Sequence, residues 1–218
     1  MTILDIHQQE LRRKSDLHIS RKIWHLTGVG LLVVFFNLLS TKAIWILVIL
    51  GIVGIVPLDY LRRRNSDLNR FVLKIIGPLM RQHEFSRLTG LSWLLLGFAV
   101  VMFLYDRHIV NVAMLFLAFG DPVASYFGIR FGKDKIIGNK TLQGTMAAFG
   151  VCTLVAATYY YYNNIMLERV LIVAPLSGII GAASELVPVG KMDDNFTFPV
   201  ISATCLWLLF ELFGGIAL

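Results

Sequence analysis

Seven apolar runs punctuate the chain, at roughly 23–39, 43–58, 91–105, 109–128, 144–162, 169–187 and 195–215. Crossing a hydrocarbon core of about 30 Å takes about 20 predominantly apolar residues, so each run predicts a transmembrane helix, some short and some interrupted by Gly or Pro. The first run reads as a retained helix, because apolar runs continue along the chain and no convincing cleavage site follows it. The segment 59–90 is not all loop. Leu68, Phe71, Val72, Ile75, Ile76 and Leu79 recur at helical spacing, with Arg70 and Lys74 on the other face. Ser66 and Asp67 offer an N-cap, and Gly77-Pro78 ends or kinks the helix. This predicts an amphipathic helix lying at the cytoplasmic interface. The expected fold class is all-α, a polytopic integral membrane protein of about seven transmembrane helices plus that interfacial helix. No internal repeat or low-complexity segment is present.

Composition agrees with the pattern. Of 218 residues, 56% are hydrophobic and 16% charged, and the mean hydropathy is +0.70. A disordered tail, a collagenous chain and a disulfide-stapled secreted module are excluded. The two cysteines, Cys152 and Cys205, lie within apolar runs without zinc or disulfide spacing and read as small core or lipid-facing residues. Net charge is +6 and pI about 9.5, which raises nucleic acid as a partner. The positions of the basic residues answer this. With a cytoplasmic N-terminus, segments 1–22, 59–90, 129–143 and 188–194 carry five, seven, four and one Lys or Arg, against only Lys42, Arg107 and Arg169 on the other side. A division of seventeen to three is the positive-inside signature of seven spans with the N-terminus inside. Arg12, Arg13, Lys14 and Arg62–Arg64 then need no role beyond attraction to an anionic leaflet, and nucleic acid is not required.

Charged and polar residues at span edges are costly and point to chemistry. Five clusters occur. Arg21, Lys22 and His25 open the first span, with Arg21, His25 and Gly28 on one helix face. Glu84, within Arg81-Gln82-His83-Glu84, is an acid near the membrane end of a very basic loop and a candidate ligand or base. Gly120, Asp121, Ser125 and Gly128 share the fourth span's end and run into a glycine-rich basic loop with Arg130, Gly132, Lys133, Lys135, Gly138, Lys140, Thr141 and Gly144. Glycines let backbone N–H groups approach phosphate, while Lys and Arg supply charge. Walker A spacing is absent. Glu185 ends the sixth span beside Gly178 and Gly181, which also suit helix packing. Asp193, Asp194 and Asn195 open the seventh, as helix caps or as the hard oxygen ligands Mg2+ uses. All five clusters fall at the cytoplasmic ends of their spans. Carboxylates for a metal and a basic loop for phosphates at one water interface suggest nucleotide chemistry on a lipid. A transporter would favour the bilayer midplane.

The strings RKIWHLTG (21–28), RQHEFSRLTG (81–90), GDPVASYFGIRFGK (120–133), NKTLQGT (139–145) and DDNFTFP (193–199) resemble the CTP-dependent lipid kinases, which include dolichol, phytol and diacylglycerol kinases and are related to phosphatidate cytidylyltransferases. The resemblance covers residues 21 to about 200. It implies a single transmembrane catalytic domain over 23–215, behind the basic segment 1–22, that transfers the γ-phosphoryl group of CTP to the hydroxyl of a membrane lipid alcohol with Mg2+. In this reading Asp121, Asp194 and Asn195 hold the metal. Gly120, Ser125, Arg130, Gly132, Lys133, Lys140 and Thr141 bind nucleotide, joined by Arg21, Lys22 and His25. Asp121 and Lys140 are catalytic, and Glu84 or Glu185 serves the lipid hydroxyl. Many family members carry Glu where this chain has Gln143, so no acid–base role falls there. A cytidylyltransferase making CDP-diacylglycerol, and a non-enzymatic carrier of anionic lipid, are the alternatives. Diacylglycerol, a polyprenol and a shorter isoprenoid alcohol each offer one hydroxyl on an apolar tail, and the preference for CTP over ATP is what the resemblance implies.

Overall fold

In lipid an apolar segment must satisfy its own backbone N–H and C=O groups, and a helix does so within one segment. The computed structural model describes residues 19–77, 80, 82–190 and 192–214, and 82% of these described residues are helical. Arg12, Arg13, Lys14, Pro78, Leu79, Arg81 and Lys191 lie outside the described residues, as do the side chains of Gln82 and His83. The α-helices are α1 Ile19–Leu38, α2 Thr41–Arg62, α3 Ser66–Ile76, α4 Gly90–Leu104, α5 Arg107–Phe131, α6 Leu142–Tyr162, α7 Val170–Leu186 and α8 Asp194–Phe213. All seven apolar runs become helices, and α3 is the amphipathic segment between the second and third. Five of the helical segments are long and apolar enough to cross a membrane. Of the other two, α4 has 15 residues and α1 carries Arg21 and Lys22 in its first turn.

Short polar side chains set the helix starts. Ser40 caps α2 through the Ala43 N–H, Asp106 caps α5 through His108 and Ile109, and Asp193 caps α8 through Asn195. The cap of α3 is Asn65 rather than Ser66 or Asp67. Asn65 is extended, and its side chain accepts from the Asp67 and Leu68 N–H groups, so the two expected residues lie inside the first turn. The exposed part of the apolar α3 face includes Phe71 and Ile75.

The central helix is α5, which touches α1, α4, α6, α7 and α8. Its Ile109, Ala113, Phe116 and Leu117 are fully buried against Cys152 of α6, Phe198 of α8 and Phe98 of α4. The outside of the bundle is ringed by apolar side chains such as Leu38, Phe103, Leu154, Leu171 and Leu212, which suits a lipid surround. Inside lipid, close packing rather than water exclusion holds helices together. Accordingly, a Cβ at Gly178 of α7 would lie 2.0 Å from Thr153 Oγ1 and 2.9 Å from Phe149 O on α6.

The sequence predicts a glycine-rich basic loop after α5. It is a small antiparallel hairpin, β1 Lys135–Ile137 and β2 Lys140–Thr141, turned by Gly138 at φ +58° and Asn139. Gly-Asn between two short strands is a recognised hairpin signal. The hairpin, the starts of α1, α4, α6 and α8, and the ends of α2, α5 and α7 meet at one end of the bundle.

Candidate active site

A cavity of about 520 Å3 opens at that end, between α5, the hairpin, α6, the end of α7 and the start of α8. Asp121, Ser125, Gly132, Lys140, Thr141, Glu185 and Asp194, all expected from sequence, line it. Its charged wall centres on Lys140. The ammonium pairs with Glu185 and lies 3.8 Å from Asp194 Oδ2. The Lys140 side chain is 26% exposed and that of Glu185 only 4%. Burial alone would lower the Lys140 pKa, but the charges of Glu185, Asp194 and Asp121 outweigh it and hold the ammonium above its ordinary range. The lining also includes apolar side chains, Ile129, Ile137, Leu186, Val187 and Pro188.

Close backbone approach makes this geometry possible. A Cβ on Gly144 would lie 2.7 Å from Ala124 O and 3.2 Å from Gly128 Cα, so only glycine lets α6 start against the end of α5. Thr141 Oγ1 accepts from the Gly144 N–H at 3.3 Å and caps α6, with Lys140 immediately before it. Gln143 anchors the hairpin base. Its Oε1 accepts from the backbone N–H of Lys133 at 3.0 Å, and its Nε2 donates to Asp134 Oδ2 at 2.9 Å. The departure from Glu therefore has a structural partner, since a carboxylate could not donate to Asp134.

The α1 cluster docks against α5 at a proline. Pro122 lacks the N–H that would bind the carbonyl one turn earlier, which loosens the helix there. Lys22 Nζ donates to Ser125 Oγ at 2.9 Å and Pro122 O at 3.3 Å, and His25 Nε2 donates to Leu117 O at 3.2 Å. Arg21 instead makes a two-pronged pair with Glu84, at 3.1 and 3.0 Å. Glu84 is 1% exposed, and its Oε1 also accepts the Gly90 N–H at 3.1 Å. Gly90 O in turn receives Asn195 Nδ2 at 2.9 Å. Glu84 and Asn195 thus join α1, α4 and α8 beside the cavity and are not among its lining residues.

Other expected residues stand further off. Arg130 and Lys133 are exposed and do not line the cavity, and Arg130 lies over the Phe131 ring. Gly120 faces Cys152 and Phe198 in the helix interior. Asp193 is a cap. One reading needs correction. Arg62 is not a surface charge waiting for lipid headgroups, because it is 1% exposed and paired with Asp59 at 2.6 Å. Asp59 went unnoticed in the sequence, although an acid at a span edge three residues before an arginine is itself a costly arrangement that asks for a partner.

Among the described residues no group of three His, Cys, Asp or Glu side chains forms a ready metal cage. Mg2+, however, is commonly held by one or two carboxylates together with substrate phosphates and water, and Asp121 and Asp194 on one cavity supply such a pair.

No family model matches the chain, and no solved structure matches it. Curated relatives do. The chain is 31% identical to CTP-dependent diacylglycerol kinase 1 of Schizosaccharomyces pombe, over 88% of this chain and 93% of the relative. It is 28% identical to the protein of the same name in Eremothecium gossypii, over 85% of this chain and 65% of that longer relative. It is 25% identical to dolichol kinase of Saccharomyces cerevisiae, over 87% of this chain but only 37% of the relative. With the charged cavity at one end of a membrane bundle, these likenesses place the chain in the CTP-dependent lipid kinase family, phosphotransferases with an alcohol group as acceptor.

Proposed function

We propose that the protein transfers the γ-phosphoryl group of CTP to the hydroxyl of a membrane lipid alcohol, with diacylglycerol as the first candidate acceptor and Mg2+ as cofactor. The observation that carries this is a cavity lined by both charged and apolar side chains. Its lining holds Lys140 among Glu185, Asp194 and Asp121 together with Ile129, Ile137, Leu186, Val187 and Pro188, which suits a triphosphate meeting an amphiphile. The choice of diacylglycerol is supported by relatives of that name that align over most of their length, whereas the dolichol kinase aligns over 37% of its own. The seventeen-to-three division of Lys and Arg supports a cytoplasmic active site and N-terminus.

Phosphoryl transfer depends mostly on positioning and charge neutralisation. Lys140 neutralises the transferring phosphate, and Lys22, held at Ser125, adds charge at the α5 edge. Asp121 and Asp194 would hold Mg2+, which when bound neutralises the β- and γ-phosphates. Once the phosphates draw Lys140 away, the Glu185 carboxylate accepts the proton of the lipid hydroxyl, the hydroxyl oxygen bonds to the γ-phosphorus, and CDP leaves. Glu84 is less suited to this proton, since Arg21 and Gly90 occupy both of its oxygens.

The test is to incubate purified protein with Mg2+, CTP labelled at the γ-phosphate or in the cytidine, and a panel of diacylglycerol, dolichol and phytol. A γ-labelled lipid is expected, abolished by Asp121→Ala and by Lys140→Ala. Cytidine label in the lipid would assign the cytidylyltransferase reaction instead, and near-normal rates in both variants would refute the site.

A further inference from the structure

Two ionised side chains buried at the end of α2 take no part in the proposed reaction. Asp59 is 4% exposed and Arg62 1%. Between α3 and α4 the described residues include a short 3-10 turn, Gln82–Phe85, and the irregular stretch 86–89, whose carbonyls look outside the segment for partners. Arg62 supplies them. Its Nη2 donates to Glu84 O at 2.7 Å and Arg87 O at 2.9 Å, and its Nη1 to Phe85 O at 3.4 Å and Asn69 Oδ1 at 3.0 Å. Asp59 Oδ1 accepts from Arg62 Nε at 2.6 Å, while Oδ2 accepts from the Thr89 N–H at 2.6 Å, Thr89 Oγ1 at 3.0 Å and Ser92 Oγ at 2.7 Å. The pair therefore grips both ends of segment 84–92.

That segment leads to the cavity in short steps. Glu84, whose carbonyl Arg62 holds, directs its carboxylate to Arg21 and the Gly90 N–H. Gly90 O binds Asn195, and the adjacent Asp194 lines the cavity beside Lys140. We propose that Asp59 and Arg62 are positioning residues for the active site, fixing the 84–90 backbone so that Glu84 holds Arg21 and Gly90 holds the start of α8, with Asp194 in place. A guanidinium is needed because five N–H donors in a rigid fork reach Asp59, Asn69 and three loop carbonyls at once, whereas an ammonium offers three donors at one point.

The proposal rests on the kinase reading only for its activity readout. Arg62→Lys and Asp59→Asn are each combined with Glu84→Gln, and turnover of γ-labelled CTP is read together with backbone amide exchange. Arg62→Lys is expected to lower kcat/KM about 10- to 100-fold, and adding Glu84→Gln is expected to lower it no more than about twofold further, because residues acting through one another are non-additive. Amide protection should fall at 84–90 and at 194–197 while α5 and α6 keep theirs. Losses that multiply, or faster exchange confined to 84–90 with turnover unchanged, would overturn the proposal. Should Arg62→Lys fail to purify folded, the near-isosteric Asp59→Asn carries the same cycle. Wild-type protein without turnover would refute the kinase reading, and the exchange at 194–197 would then decide the positioning role by itself.

Discussion

Lys140→Met keeps an unbranched side chain of similar reach and removes one charge from the middle of the cavity. In the wild type this ammonium faces Glu185, lies 3.8 Å from Asp194 and feels Asp121. A hydrogen bond to a charged group contributes about 1.5–3 kcal/mol, and each 1.4 kcal/mol is tenfold in rate, so losing a single phosphate contact predicts a drop of about 10- to 150-fold in kcat/KM. The variant does more than lose a contact. Its triphosphate would also meet the Glu185 carboxylate with no ammonium beside it, which places the expected loss at the upper end, about 100-fold or more. The assay is the initial rate of γ-label transfer to diacylglycerol in detergent micelles at varied CTP. Glu185→Gln belongs beside it. The double variant Lys140→Met/Glu185→Gln removes the unpaired buried carboxylate, so its thermal midpoint should recover while its turnover does not. A Lys140→Met protein within about threefold of wild-type kcat/KM would refute the reasoning that this residue neutralises the transferring phosphate.

Other substitutions test other parts of the frame. Gly178→Ala puts a methyl 2.0 Å from Thr153 Oγ1, so α7 must shift; a loss of roughly 1–3 kcal/mol in stability is expected by thermal unfolding, with turnover reduced because Glu185 travels with α7. Gln143→Glu sets a second carboxylate against Asp134, and activity should fall severalfold and return in Asp134→Asn/Gln143→Glu, as measured by the same label transfer. Ser125→Ala removes a 2.9 Å acceptor from Lys22 and is expected to raise the KM for CTP a few-fold with little change in kcat. At the far end, Asn111 is buried and bonded to Asn37 and Tyr159. Asn111→Ala should therefore lower the thermal midpoint yet leave kcat/KM of the folded fraction unchanged.

The helices were legible because lipid imposes a crude rule, about one long apolar run for each crossing. Their ends were less so. The run at 109–128 became a helix from Arg107 to Phe131, since Asp106 starts it outside the apolar stretch and Arg130 and Phe131 continue it to Gly132. The cavity acids and Lys140 were readable from the cost of placing charge at a span edge. That cost identifies which residues need partners and does not say which partner each finds. Glu84 and Asn195 carried the right signal and turned out to join helices, a distinction made by contacts 63 and 105 residues apart in the chain. Arg62 was hidden by its neighbours, because Arg62, Arg63 and Arg64 look alike in sequence and only the first turns inward.

The docking of α1 on the Pro122 turn has a consequence for biogenesis. Lys22 finds Ser125 103 residues later in the chain, and His25 finds Leu117 92 residues later. At about 5–20 residues per second of synthesis, Lys22 exists for about 5–20 s before its partner has been translated. Helix α1 therefore lacks its native contacts with α5 until that span has been made. Closure of the α1–α5 seam is timed by the arrival of the later spans, so a ribosome stalled before residue 117 would leave α1 inserted but undocked.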